Sequence, residues 1–122
     1  MGYGVSGFDL GTVPAGADLS ALQHTAVLVG SGGFVTAGAG KPADGILQND
    51  PISGGIANVR ITGASKAVIG AAVVEGAELM VGTSGKLITA TTGNNIVARA
   101  LTAGAADLDI IPVLLGGHGV KA

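Results

Sequence analysis

From residue 24 onward the chain consists of short apolar runs that are separated by glycine-bearing segments. In residues 58–62, apolar side chains at 59 and 61 alternate with polar ones, a pattern typical of a half-buried β-strand. Residues 30–33 lie between two apolar runs and predict a hairpin with a small loop. The pattern therefore predicts an all-β fold, a small glycine-rich barrel or sandwich of short strands, with a tulip-like arrangement among the alternatives.

Two stretches of the chain resemble each other. Residues 28–33 (Leu-Val-Gly-Ser-Gly-Gly) match residues 80–85 (Met-Val-Gly-Thr-Ser-Gly) at a spacing of about 52 positions. We therefore expect one β domain over residues 24–122 that contains two repeat-like units, at about 25–63 and 77–115, related by an internal duplication. Residues 64–74 are expected to form a strand that joins the units, with a helical turn as the alternative.

Residues 1–23 show little periodicity and are rich in glycine. This composition predicts an extended N-terminal arm, of a kind that becomes ordered against a partner.

The composition indicates a folded protein that associates with other chains. The chain is 48% hydrophobic with a formal net charge of −2, whereas disordered segments combine low hydrophobicity with high net charge. Only 11% of the residues are charged, against about 25% in typical soluble domains. Because a sparingly charged, apolar surface is a liability for a free monomer, we expect much of it to be covered in an assembly.

Several kinds of partner are disfavoured. The six basic residues are scattered singly and aromatic residues are 2% of the chain, whereas nucleic-acid binders cluster basic charge and add stacking aromatics. No apolar run approaches the roughly 20 residues of a spanning helix, and the N-terminus lacks the basic and apolar regions of a signal peptide. We therefore expect neither a nucleic-acid nor a membrane partner.

The chain offers few residues for catalysis or for a cofactor. It has no cysteine, and neither Gly40 nor Gly85 completes a phosphate-binding loop, although each precedes a lysine. The two histidines, at 24 and 118, have no local pattern of nucleophile and acid around them. Asp107 and Asp109 could flank a Ca²⁺ ion, but solvated charges at a strand end are the simpler interpretation. The sequence predicts a non-enzymatic protein without cofactor or metal.

The order of five segments resembles a family of small decoration proteins, also called cement proteins, on the heads of tailed phages. The segments are residues 17–20 (Ala-Asp-Leu-Ser), 27–33, 43–49 (Ala-Asp-Gly-Ile-Leu-Gln-Asn), 58–68 and 109–115 (Asp-Ile-Ile-Pro-Val-Leu-Leu). Each motif is of low complexity, and the resemblance lies in their order and spacing over residues 17–116.

This resemblance implies a virion protein, made in the host cytoplasm, that binds the major capsid protein on the outer surface of the shell and stabilises it, often as a homotrimer. Residues 1–16 match no family motif, so capsid contact through Tyr3, Phe8 and Leu10 is a separate hypothesis. The alternatives are a β module that binds a ligand or a host surface, and another phage structural component such as a tail protein.

Overall fold

The computed structural model describes residues 7–116 and 119–121. Apart from one short 3-10 turn at Thr83–Gly85, the regular elements of this part of the chain are β-strands, which confirms the predicted all-β class. The nine strands are β1 (Gly7–Pro14), β2 (Ala26–Gly30), β3 (Gly33–Thr36), β4 (Gly45–Leu47), β5 (Ile56–Val68), β6 (Glu78–Val81), β7 (Leu87–Thr89), β8 (Ala98–Ala100) and β9 (Ile110–Leu115).

One long strand, β5, joins the two halves of the molecule. Its first half pairs antiparallel with β4 and also with β1, and its second half pairs with β9. Arg60 is opposite Ile46 of β4 and also opposite Asp9 of β1, so these two strands lie on the two sides of β5. Gly63, with a φ of 86°, stands between the halves, where only glycine adopts that backbone conformation at little cost.

The same pattern of pairing occurs on each side of this glycine. In the first unit (residues 7–63), β2 pairs with β3 and β4, and β4 pairs with β5. In the second unit (residues 64–115), β6 pairs with β7 and β8, and β8 pairs with β9. A parallel bridge curls each unit back on itself, between Ala15 and Phe34 in the first and between Ile69 and Leu87 in the second.

Individual hydrogen bonds also correspond between the units. The amide N–H groups of His24, Gly16 and Leu19 donate to the carbonyl groups of Leu47, Phe34 and Pro51 at 2.7, 2.7 and 2.9 Å. In the second unit the matching bonds, at 2.8, 2.8 and 3.0 Å, join Gly76 to Ala100, Gly70 to Leu87 and Val73 to Gly104. Corresponding residues lie 52 to 54 positions apart, which is the spacing of the sequence match. A common origin by duplication remains a prediction, and the repeated pairing supports it.

Each unit encloses an apolar core, and the two cores correspond by position. The first is formed by Ala15, Leu19, Val27, Phe34, Leu47, Ala57 and Val59. At the equivalent positions the second has Ile69, Val73, Leu79, Leu87, Ala100, Ile111 and Val113. Differences in side-chain size compensate between the cores. The small Ala57 of the first core is replaced by the larger Ile111 in the second, and the large Phe34 is replaced by the smaller Leu87. Cores tolerate such exchanges where the total volume is kept.

The described part of the predicted N-terminal arm belongs to this sheet. Gly7–Pro14 pairs with β5 from Gly63 to Ile56 and is the counterpart of the second half of β5. Its missing periodicity has a structural cause, because the pairing shifts between Phe8 and Asp9 and again between Leu10 and Val13. The first shift places an extra residue, Ile61, in β5, and the second places one in β1, which breaks the alternation of faces there.

Gly33 offers a test of the closure of the first unit. A Cβ atom at this position would collide with the carbonyl group of Pro14, and its φ is 133°. We expect Gly33→Ala to lower the free energy of unfolding by about 3 kcal/mol through overpacking and backbone strain. Gly93→Ala is the control, because Gly93 has a φ of 88° with no atom within 4 Å, and strain alone should cost about 1 kcal/mol. Urea denaturation measures both, and equal losses would contradict the predicted contact.

Candidate interaction surface

Asp107 and Asp109, the pair considered for a Ca²⁺ ion, are each engaged by other partners. Asp107 accepts a hydrogen bond from Lys86 at 2.8 Å, and Asp109 accepts two from the amide groups of Ala105 and Ala106 at 3.0 and 3.1 Å. Over residues 7–116 and 119–121, no three His, Cys, Asp or Glu side chains come together as metal ligands would. His118 lies outside the described residues. A search of the described residues for a helix of the length and apolar character needed to span a membrane found none.

The outward side of the second unit carries a largely apolar surface with two cations, which we call the β5–β9 face. It consists of Ala64, Lys66, Val68, Arg99, Leu101, Ile110, Pro112 and Leu114. Strand pairing places these residues together, since Lys66 is opposite Pro112 and Leu114 is opposite Ala64 and Arg99. The alternate residues of both strands are buried in the core, as expected for a sheet with one face on the core. Leu101, Ile110 and Leu114 are 40%, 54% and 42% exposed.

The equivalent surface of the first unit is polar and internally bonded at three of its positions. Leu101, Pro112 and Leu114 correspond to Gln48, Asn58 and Arg60 there. The amide group of Gln48 donates to Ser65 Oγ at 2.9 Å, and Arg60 pairs with Asp9 at 2.6 Å. This hydrogen bond raises the pKa of the Arg60 guanidinium. The two units thus share a fold and differ in what the same surface offers to a partner.

A groove of about 720 Å³ runs along the β5–β9 face. Its residues are His24, Lys66, Thr102, Ala103, Gly104, Ala105, Asp109, Ile110, Ile111 and Pro112. Pro112 is tolerated in the middle of β9 because the ladder with β8 ends there. At the equivalent position of the first unit, the N–H group of Asn58 donates to the side chain of Asn49 instead of to a strand.

His24 lines this groove in a strained backbone conformation. Its φ is 67°, and its counterpart in the second unit is Gly76, with a φ of 82°. Its half-buried imidazole has a pKa below the ordinary value, chiefly because burial disfavours the charged form and also because Lys66 is a nearby cation.

Leu108 repeats this feature at the other side of β5. It has a φ of 75° and is 67% exposed, and its counterpart in the first unit is Gly54. A left-handed conformation costs a residue with a Cβ atom about 1–2 kcal/mol. Strain of this kind is concentrated at functional sites, so His24 supports the groove as a candidate site. Leu108 and Ser84, which has a φ of 57°, line a separate hollow.

Of the residues predicted to contact a capsid, the two that the structure describes, Phe8 and Leu10, lie on β1 and not on this face. Phe8 is 62% exposed on β1, whereas Leu10 is half-buried and packs against the core of the first unit. Tyr3 lies outside the described residues. Sequence reasoning missed the β5–β9 face because Lys66 and Pro112 are brought together only by the pairing of β5 with β9. The available signal was the run Ile110–Leu115, which is more apolar than a half-exposed strand usually is.

The fold is similar to one solved structure from a phage, the head fiber gp8.5 N base in bacteriophage phi29. The TM-score is 0.74, and the match covers 89% of this chain and 95% of that chain. The sequences are 12% identical, so the likeness concerns the fold. No family model and no curated protein matches the chain.

The depressed pKa of His24 predicts a pH dependence of stability. The unfolded chain binds this proton more readily, so the free energy of unfolding should fall as the pH drops below about 6.5 and level off below the folded pKa. In His24→Asn, where asparagine tolerates the left-handed backbone, the loss of stability between pH 7.5 and pH 5.5 should be smaller. Urea denaturation at both pH values measures the difference. The same loss in both proteins would contradict the assignment.

Proposed function

We propose that this chain is a non-catalytic structural component of a phage head, bound to the outer surface of the capsid. The observation that carries the proposal is the apolar, exposed β5–β9 face on a fold that is shared, over nearly the whole chain, with a phage head fiber base. Contiguous exposed apolar surface of this kind is typical of protein–protein interaction sites. The residue order that resembles decoration proteins supports the same assignment independently.

The finer form of the proposal is a decoration protein that binds the major capsid protein and stabilises the shell. Homotrimer formation belongs to this finer form, because a sparingly charged surface favours association between copies. Binding repeated over a symmetric lattice produces high avidity from modest contacts. Phe8 is exposed and available for a capsid contact, and we retain Tyr3 as a second candidate. Leu10 is less available for such a contact, because it is half-buried and packs on the core of the first unit.

A second role, the base of a head fiber, is favoured by the similar structure from phi29. Such a base would bind the same outer surface, but it would carry a further structure instead of reinforcing the shell. The two roles predict different behaviour of heads that lack the protein.

Exposed isoleucines at equivalent positions of the two units provide a matched test of head binding. Ile110 lies on the β5–β9 face and is 54% exposed, and Ile56 of the first unit is 53% exposed. We expect Ile110→Ser to weaken binding to purified, expanded heads about tenfold, the effect of losing one buried isoleucine side chain. Ile56→Ser should bind like the wild type. Co-sedimentation over a range of concentrations measures both, and a wild-type chain that never sediments with heads would contradict the proposed function.

Heat treatment distinguishes the decoration protein from the fiber base. Heads without the protein should release DNA at a lower temperature than heads saturated with it if the chain reinforces the shell. The release of DNA, followed with an intercalating dye, measures the difference. An unchanged release temperature at full occupancy would exclude the stabilising role and leave the fiber base.

A further inference from the structure

The groove on the β5–β9 face combines apolar walls with a cation that has no partner. The apolar part is provided by Ile110, Pro112 and Ala103, and Lys66 stands opposite Pro112 in the strand pairing. Within residues 7–116 and 119–121, Lys86, Lys121, Arg60 and Arg99 each face a carboxylate, whereas Lys66 and Lys41 form no ion pair. Of these two lysines, Lys66 lines the groove and Lys41 does not.

The carboxylate of the groove is already engaged. Oδ2 of Asp109 accepts hydrogen bonds from the amide groups of Ala105 and Ala106, and so it holds the loop that forms one wall. His24, the second potential cation of the groove, lies close enough for Lys66 to lower the pKa of its imidazole. The groove is therefore apolar, with the ammonium group of Lys66 free to meet a partner and with its carboxylate, Asp109, bonded to the loop.

We propose that this groove receives an extended segment of a partner protein in which apolar residues flank a carboxylate, with the carboxylate on Lys66. The apolar side chains would cover Ile110 and Pro112, and the ammonium group of Lys66 would donate a charge-assisted hydrogen bond to the carboxylate. Lysine suits this role, because its stem packs along apolar surface while its ammonium group reaches a partner. The inference rests on the proposed function, since it names the chemistry that the head protein would present.

The first unit explains why the groove is specific to the second. At the position of Leu114 it has Arg60, whose guanidinium group pairs with Asp9 and also donates to the carbonyl group of Ala64 at 3.1 Å. There the cation already has a carboxylate from its own chain, on β1. In the second unit the strand equivalent to β1 is the second half of β5, which contributes Lys66 and no acid.

Two short peptides test the inference without heads. The probes are acetyl-Leu-Asp-Leu-amide and acetyl-Leu-Asn-Leu-amide, titrated into the full ¹⁵N-labelled chain and followed by amide NMR signals. We expect the aspartate peptide to shift the signals of residues 102–105 and Ile110 in a saturable manner, and the asparagine peptide to bind about fivefold more weakly. Because no capsid is involved, a failure here is separate from a failure of the head-binding experiment.

Three variants make the result specific to Lys66. Lys66→Met keeps the apolar stem and Lys66→Gln keeps a polar end, and both should bind the two peptides with equal affinity. Lys41→Gln removes another exposed lysine that is outside the groove and should retain the preference for aspartate. Equal affinity of the wild type for both peptides, the absence of saturable binding, or shifts outside the groove would overturn the inference. Inorganic phosphate that competes as well as the aspartate peptide would reduce the groove to a simple anion site and would also overturn it.

Discussion

The structure depends on the pairing of a single strand, β5, with three others. Its first half completes the first unit by pairing with β1 and β4, and its second half begins the second unit by pairing with β9. Gly63 separates these roles, with a backbone conformation that few other residues adopt. Because one strand belongs to both units, neither sheet is complete without the other. The outer surface of β2 and β4, at Ala26 and Ile46, is buried with the second core.

The two units differ where they meet solvent. At the positions equivalent to Ala26 and Ile46, the second unit has Glu78 and Arg99, and Lys121 pairs with Glu78 at 2.8 Å. Charged residues at these two positions prevent a third unit from packing there as the second packs on the first, as polar outer faces do in terminal repeats. The second unit also exposes apolar side chains at Leu101, Pro112 and Leu114 of the β5–β9 face, where the first unit has the polar residues Gln48, Asn58 and Arg60. The two units therefore have the same fold but different surfaces: that of the first unit forms hydrogen bonds within the chain, and the β5–β9 face of the second is suited to a partner.

Much of the fold was predictable from the sequence, because its signals are local. The alternation at residues 58–62 placed Val59 in the core, and the spacing of the two glycine-bearing hairpins matches the repeated pairing. Strand β1 gave no such signal, since an extra residue between Leu10 and Val13 breaks its alternation of faces. The candidate site was less predictable. Lys66 and Pro112 are 46 positions apart and meet only through the register of β5 with β9. His24 and Leu108 are recognisable as strained only beside the glycines that replace them in the other unit.

Hydrogen exchange of the head-bound chain tests the central claim most directly. The claim is that the second unit docks on the head through the β5–β9 face. Comparison of free and head-bound protein should show the strongest slowing of exchange in peptides covering residues 99–114, and little change in peptides covering β2 and β3. Slowing confined to the first unit, or uniform exchange in the two states despite stable binding, would contradict this account.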